Sequence, residues 1–165
     1  MEQQRFLTRY ISVLYRQGNR YYDKTLARFG IGCGQQFFLM RIAENEGISM
    51  YDLAHLGHFD KGTVTKAVQK LEEQGYLQIV VDPEDRRIRR LYTTESAKEV
   101  IEGICISRED WHDILTAGMS EQEAEQTQQL LAKMAENAYH YMKQTNDAGH
   151  SLRRTFKNQT KEFDA

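Results

Sequence analysis

The sequence predicts a mainly α-helical chain in which a two-stranded β-hairpin interrupts a series of amphipathic helices. Three observations predict it. Apolar residues recur at helical spacing along most of the 165 residues. Pro83 is the single proline, against ordinary usage of about 5%, so long helices can run unbroken. The period changes once, where β-branched and aromatic residues gather in Tyr76–Val81 and Ile88–Thr93 around the charged segment DPEDRR.

Residues 5–29 carry Leu7, Ile11, Leu14, Tyr21, Tyr22, Leu26 and Phe29 at helical spacing, and the glycine-rich GIGCG at 30–34 ends that helix. A second helix is expected over about 35–46, with Phe38, Leu39, Ile42 and Ala43 inward and Gly47 stopping it. Ser49 is an N-cap for a short helix over 50–56, closed by Gly57. Asp60 caps another that runs to Gln74 and ends at Gly75. After the hairpin, Thr94 is expected to cap a long helix carrying Ala97, Val100, Ile101, Ile104, Trp111, Ile114 and Leu115. Gly118 breaks it, and Ser120 with Glu123 forms a capping box for a last helix bearing Leu130, Leu131, Met134 and Tyr141.

Composition narrows the function classes. With 22 basic and 24 acidic side chains the chain is near neutral, so any nucleic-acid surface must be local. No run approaches the roughly 20 apolar residues of a membrane span, and the N-terminus lacks a secretory signal pattern. The two cysteines, Cys33 and Cys105, form no disulfide framework and no zinc-ligand spacing. The expectation is a cytoplasmic protein with no membrane partner, no metal site and no cofactor. No nucleophile–base motif or phosphate-binding glycine loop points to an enzyme.

The chemistry concentrates in 49–94, a helix–turn–helix followed by a hairpin. The two helices are joined by GHF, a turn of the length such units use. On a wheel of 100° per residue, Val64, Ala67, Val68 and Leu71 lie on one side of 61–74, and Gly62, Thr65, Lys66, Gln69, Lys70 and Glu73 on the other. Short residues near the helix start allow close approach, and the Lys and Gln donors beyond them suit a DNA groove. The helix start also offers free amides to a phosphate, with the Thr63 hydroxyl beside them. An ordinary solvated helix face would look similar, and the hairpin tips the balance. It holds Arg86, Arg87, Arg89 and Arg90 within five residues, able to reach an adjacent minor groove. The acidic Asp82, Glu84 and Asp85 brace those arginines or shape the turn.

The run DKGTVTKAVQKLEEQGYLQIVVDPEDRRIRRLYTTESAKEVI resembles the winged helix-turn-helix of the MarR family of bacterial transcriptional regulators. It matches both the TVT-plus-basic recognition helix and the D-x-x-D-R-R wing. The flanking helices fall in the family's order, so the resemblance spans nearly the whole chain. It implies base or phosphate contacts by Thr63, Thr65, Lys66 and Gln69, a minor-groove role for Arg86, and wing support from Asp85 and Arg87. Two departures stand out: Thr93 where the family usually has leucine, and Ser96-Ala97 for a common Lys-Gly.

The expected fold is therefore a winged helix-turn-helix with a two-stranded hairpin wing and a helical dimerisation region built from both termini. Residues 1–33 and 95–147 form that region, 34–94 the DNA-binding domain, and 148–165 a polar, flexible tail. The terminal helices have more apolar surface than one small module can bury, which assigns them to a homodimer interface rather than a monomeric bundle. The expected function is a dimeric, sequence-specific repressor reading a pseudo-palindrome in double-stranded DNA. The alternative is a winged-helix module that binds protein instead. The DNA-facing set comprises Ser49, Lys61, Gly62, Thr63, Thr65, Lys66, Gln69, Lys70, Arg86, Arg87 and Arg89, with Asp82 and Asp85 supporting the wing. Tyr15, Phe38 and Trp111 are candidates to line a pocket for a small aromatic effector. Cys33, at a helix start, could sense redox state, but a passive small residue at a turn fits it better.

Overall fold

The structure is a computed structural model that describes the backbone over residues 7–162 and side chains over 7–145. It divides into two compact units, the first ending at Leu115 and the second beginning at Thr116. Among the described residues no helix is long and apolar enough to cross a membrane.

Helix α1 spans Leu7–Thr25 and is shorter than its apolar spacing suggests. The chain tightens into a 3-10 turn over Ala27–Phe29, and Gly30 closes it at φ 68°, a left-handed conformation that glycine adopts without steric cost. Helix α2 (Cys33–Glu44) begins two residues before its expected start. Its start is satisfied from two sides: the Cys33 N–H donates to the Asp23 carboxylate of α1 at 2.9 Å, and the Gly32 N–H to Oε1 of Gln35 in α2 itself at 3.1 Å. Phe38, Leu39, Met40 and Ile42 of α2 are buried.

The sheet has three strands, one more than the expected hairpin. Strand β1 is only Ile48–Ser49. It joins β2 (Leu77–Val81) and β3 (Arg89–Thr93) in the order β1-β3-β2, all antiparallel. Leu91 pairs with Ile48 on one side and Ile79 on the other, and it is fully buried. Two residues carry no detectable alternation, so β1 leaves no signature in the sequence.

Helix α3 (Met50–Leu56) starts at the Ser49 cap, which accepts the Asp52 N–H at 3.1 Å. Helix α4 (Lys61–Glu73) starts at Asp60, which accepts the Thr63 N–H at 3.0 Å. Val64, Ala67, Val68 and Leu71 face inward on α4, as their spacing requires. They join Leu26, Leu39, Ile42, Leu53, Leu91, Val100 and Ile104 in one core beneath the sheet and the helix pair.

Helix α5 (Ala97–Thr116) begins three residues beyond Thr94, and among the described contacts the Thr94 hydroxyl meets no amide of that helix. That hydroxyl donates instead to the Gly75 carbonyl at 2.6 Å, tying the end of β3 to the end of α4. Only the first half of α5 is committed to the core, through Ala97, Val100, Gly103, Ile104 and Ser107. At Gly103 the missing side chain is a socket: a Cβ there would stand 2.5 Å from the Phe29 ring. Ile114 and Leu115, apolar positions of a helix whose surplus face was expected to meet a second copy, are 55% and 43% exposed.

In the second unit, α6 runs from Glu121 to Glu162 and opens with the expected capping box: the Ser120 N–H donates to Glu123 Oε2 at 2.8 Å, and the Glu123 N–H to Ser120 Oγ at 3.3 Å. Its helical backbone continues past residue 147, where the sequence reading ended it. No proline interrupts that stretch, and its Lys, Arg, Gln and Glu residues are good helix formers.

Candidate nucleic-acid interface

The starts of α3 and α4 and the returning arm of the wing converge on one groove of about 590 Å³. Ser49, Tyr51 and Asp52 line it from α3, Lys61 and Thr65 from α4, and Arg87, Ile88 and Arg89 from the wing. Its floor is apolar, from Met50, Ala54, Val64 and Ile88. Five of the residues expected to face DNA (Ser49, Lys61, Thr65, Arg87 and Arg89) thus meet in one place.

The remaining predicted residues extend this surface. Gly62, Thr63, Lys66, Gln69 and Lys70 lie on the exposed side of α4, and Arg86 is exposed in the wing turn. The side chains of Lys61, Lys66, Gln69, Lys70, Arg86, Arg87 and Arg89 have no hydrogen-bond or ion-pair partner among the described residues. Their donors are available to an incoming acceptor.

The hydroxyls are employed differently. Thr63 Oγ1 donates to Asp60 Oδ2 at 2.6 Å, Thr65 Oγ1 to the Lys61 carbonyl at 2.8 Å, and Ser49 Oγ to Asp52 Oδ2 at 2.7 Å. Ser49 is also buried, at 9% exposure. Each fixes the start of its own helix first. The Thr63 hydroxyl and amide together hold the Asp60 carboxyl below its usual range, keeping a negative charge at the positive end of α4.

The wing turn is built around Asp82. One oxygen of its carboxylate accepts the N–H groups of Glu84 at 2.9 Å and Asp85 at 3.1 Å; the other accepts Arg90 Nε at 2.7 Å. The Asp85 amide, then the Arg90 guanidinium and the Glu84 amide, lower the Asp82 pKa. Asp85 in turn accepts the Arg87 N–H at 2.9 Å. Asp82 and Asp85 therefore spend their charge on the backbone of the turn and on Arg90, and neither pairs with the side chain of Arg86, Arg87 or Arg89.

The aromatic trio proposed to line an effector pocket is dispersed. Phe38 is 2% exposed in the core, against Phe37 and Phe59. Tyr15 is 70% exposed on α1. Trp111 stacks on Tyr21, ring centroids 4.8 Å apart, and the pair borders a shallow groove with Gln17, Arg20 and Lys24. No described pocket contains any two of the three. Helical spacing shows that each side chain belongs to an apolar face but not which neighbour that face meets. Cys33 is likewise no activated thiol: burial, then the neighbouring Asp23, pushes its pKa up.

Sequence reasoning passed over Tyr51, which lines the groove and whose ring packs at a tilt against that of His55, centroids 4.3 Å apart. It left Arg90 out of the DNA-facing set without giving it a role of its own. Strand alternation was the available signal, since Arg89 and Arg90 must point to opposite faces.

Comparison with known proteins agrees with this architecture. The model of the MarR family matches residues 37–88, which run from within α2 through the wing turn. YybA, an HTH-type transcriptional regulator of Bacillus subtilis, is 32% identical over 116 residues, 68% of this chain and 77% of that protein. The crystal structure of a MarR transcriptional regulator from Methanosarcina mazei is 34% identical with a TM-score of 0.74, covering 82% of this chain and 97% of that one. A MarR-family regulator from Listeria monocytogenes, solved with a 26mer DNA, shares the fold at a TM-score of 0.76 and 24% identity, over 84% of this chain and 94% of its own. With a relative of this identity matched over most of its length, and a winged helix-turn-helix of the same order, the chain belongs to the MarR family of transcriptional regulators.

Proposed function

We propose that the chain is a dimeric, sequence-specific DNA-binding repressor of the cytoplasm. Helix α4 reads a major groove through Lys66, Gln69 and Lys70, with Lys61, Gly62, Thr63 and Thr65 at its start. The wing reaches the adjacent minor groove through Arg86, with Arg87 and Arg89 on the backbone beside it. The observation that carries this reading is the concentration of unpartnered cations around the groove of α3, α4 and wing. The Listeria protein of the same fold, solved with DNA, supports it.

Residues 34–94 act as the DNA-binding domain, and 1–33 with 95–147 as the dimerisation region. Leu7, Tyr10, Ile11 and Leu14 of α1, Ile114 and Leu115 of α5, and Leu130, Leu131, Tyr141 and Met142 of α6 are exposed, more apolar side chain than a free surface ordinarily carries. Two-fold pairing sets two copies of α4 on a pseudo-palindrome with half-site centres about 10–10.5 base pairs apart, or a multiple of that.

Fluorescence anisotropy against the gene's own upstream duplex tests the reading. Log affinity should fall by about 0.9 per neutralised phosphate for each unit of log salt. Lys66→Ala or Gln69→Ala should cost about 1–3 kcal/mol on the operator and little on random DNA. A flat salt response, or no binding to any duplex, rejects it in favour of a protein-binding module.

A small aromatic acid acting as releasing effector fits the Tyr21–Trp111 shelf, where Arg20 and Lys24 supply the countercharge. Such a ligand and the operator should lower each other's affinity by the same factor. Quenching of Trp111 without any change in DNA affinity would separate that shelf from regulation.

A further inference from the structure

Four arginines crowd the wing, and one of them behaves unlike the rest. Arg89 lines the groove. Arg90, its neighbour on β3, points to the other face of the strand because successive side chains alternate. There its Nε donates to Asp82 Oδ2 at 2.7 Å and its Nη1 to the Gly47 carbonyl at 3.2 Å. The same Asp82 carboxylate holds the Glu84 and Asp85 amides with its other oxygen. One guanidinium therefore ties the wing turn, through a single carboxylate, to the tight turn that leads into β1 and α3. Asp82 is 8% exposed, and the Arg90 side chain 36%. Arg86, Arg87 and Arg89 have no comparable side-chain partner among the described residues.

We propose that Arg90 is a positioning residue: it bridges Asp82 and the Gly47 carbonyl, and so sets the angle at which the wing presents Arg86. The proposal rests on the reading that the wing meets DNA. A hairpin anchored only by its own ladder can twist and flex, whereas a charge-assisted bridge at its base fixes it against the helix pair that reads the adjoining groove. The bridge uses two donors on one planar fork, directed at a carboxylate and a carbonyl. Lysine keeps the charge but lacks that fixed geometry, so it cannot replace the bridge.

The test is a double-mutant cycle on operator affinity in the full chain. Arg90→Gln should weaken binding about tenfold, and Arg90→Lys nearly as much. Arg86→Ala should also weaken it. In the Arg86→Ala background, adding Arg90→Gln should change affinity less than about twofold, because the group it positions is already gone. Asp82→Asn, which cuts the bridge from the other end, should behave as Arg90→Gln does.

Equal losses from Arg90→Gln in both backgrounds would overturn the proposal, making Arg90 a contact in its own right or a general stabiliser. Full retention of affinity by Arg90→Lys would also overturn it, since charge alone would then suffice. If Arg86→Ala by itself leaves affinity unchanged, the wing–DNA reading has failed and the proposal falls with it. Should Arg90→Gln fold poorly by thermal melting, Arg90→Lys carries the same cycle.

Discussion

Helices α1 and α4 are both amphipathic in sequence, yet the fold treats them differently. Helix α4 buries four apolar side chains in 13 residues and is fixed at both ends. Helix α1, 19 residues long, buries only Gly18 and leaves Leu7, Tyr10, Ile11, Val13, Leu14 and Tyr15 exposed. Apolar spacing identifies a face that needs covering; it does not say whether the cover comes from the same chain. The difference marks where one chain finishes its own structure and where, on the proposed dimeric reading, a second copy would supply the cover.

Breaking the completed half should have the largest effect. Leu71 is fully buried, so Leu71→Ala should cost about 2–5 kcal/mol in denaturant unfolding, with loss of DNA binding following loss of fold. Gly103→Ala should come next, at about 1–3 kcal/mol, because a Cβ would stand 2.5 Å from the Phe29 ring. Phe29→Leu should recover part of that loss by vacating the socket; if it does not, the Phe29–Gly103 contact is not the cause.

A smaller effect belongs to acid. Asp60 and Asp82 both have depressed carboxyl pKa values, Asp60 chiefly from the Thr63 hydroxyl and Asp82 chiefly from backbone amides. Their stabilising contribution is full above the unfolded value of about 3.9 and is lost as pH falls through the lower folded values. Thermal melts of Asp82→Asn should therefore show a shallower decline below about pH 4 than the parent. An identical acid limb would dissociate Asp82 from acid sensitivity.

The smallest effect on the fold should come from the unfinished half. Leu14→Asp removes an exposed apolar group from α1, so stability of the winged-helix core should change by no more than about 0.5 kcal/mol. Sedimentation velocity should nevertheless report a monomer at micromolar concentration. A dimer that survives this change would move the interface away from that face of α1.

What was legible follows the same division. The caps at Ser49, Asp60 and Ser120, and the inward stripe of α4, are local, and the sequence reading located each of them. Features made by residues far apart in the chain were not legible. Asp23 accepts the Cys33 amide, Gly75 takes the Thr94 hydroxyl, and Ile48 finds Leu91 across 43 positions. The dispersal of Tyr15, Phe38 and Trp111 has the same origin. At Thr93 the departure from the family's leucine has an account of the same long-range kind: both its amide and its hydroxyl donate to the Glu46 carboxylate. In the candidate interface, residue types were readable and availability was not, because only partners reveal that Arg90 is occupied while Arg86, Arg87 and Arg89 are not.

The far end of α4 is held by the turn that seats Phe29 against Gly103. Gln74 Nε2 donates to the Gly30 carbonyl at 2.5 Å, and the Tyr76 hydroxyl to the Phe29 carbonyl at 2.9 Å. Mechanically this is a fulcrum at the C-terminal end of a lever of 13 residues, about 20 Å long at 1.5 Å per residue. A rotation of about 10° there sweeps the opposite tip, where Lys61 and Thr65 sit, through about 3.5 Å. Successive base pairs are about 3.4 Å apart along the duplex axis. Val64, beside that tip, is 1% exposed, so a swing of this size would have to carry the packed core with it. The proposed DNA-facing end of α4 keeps its register only as well as the core keeps its packing.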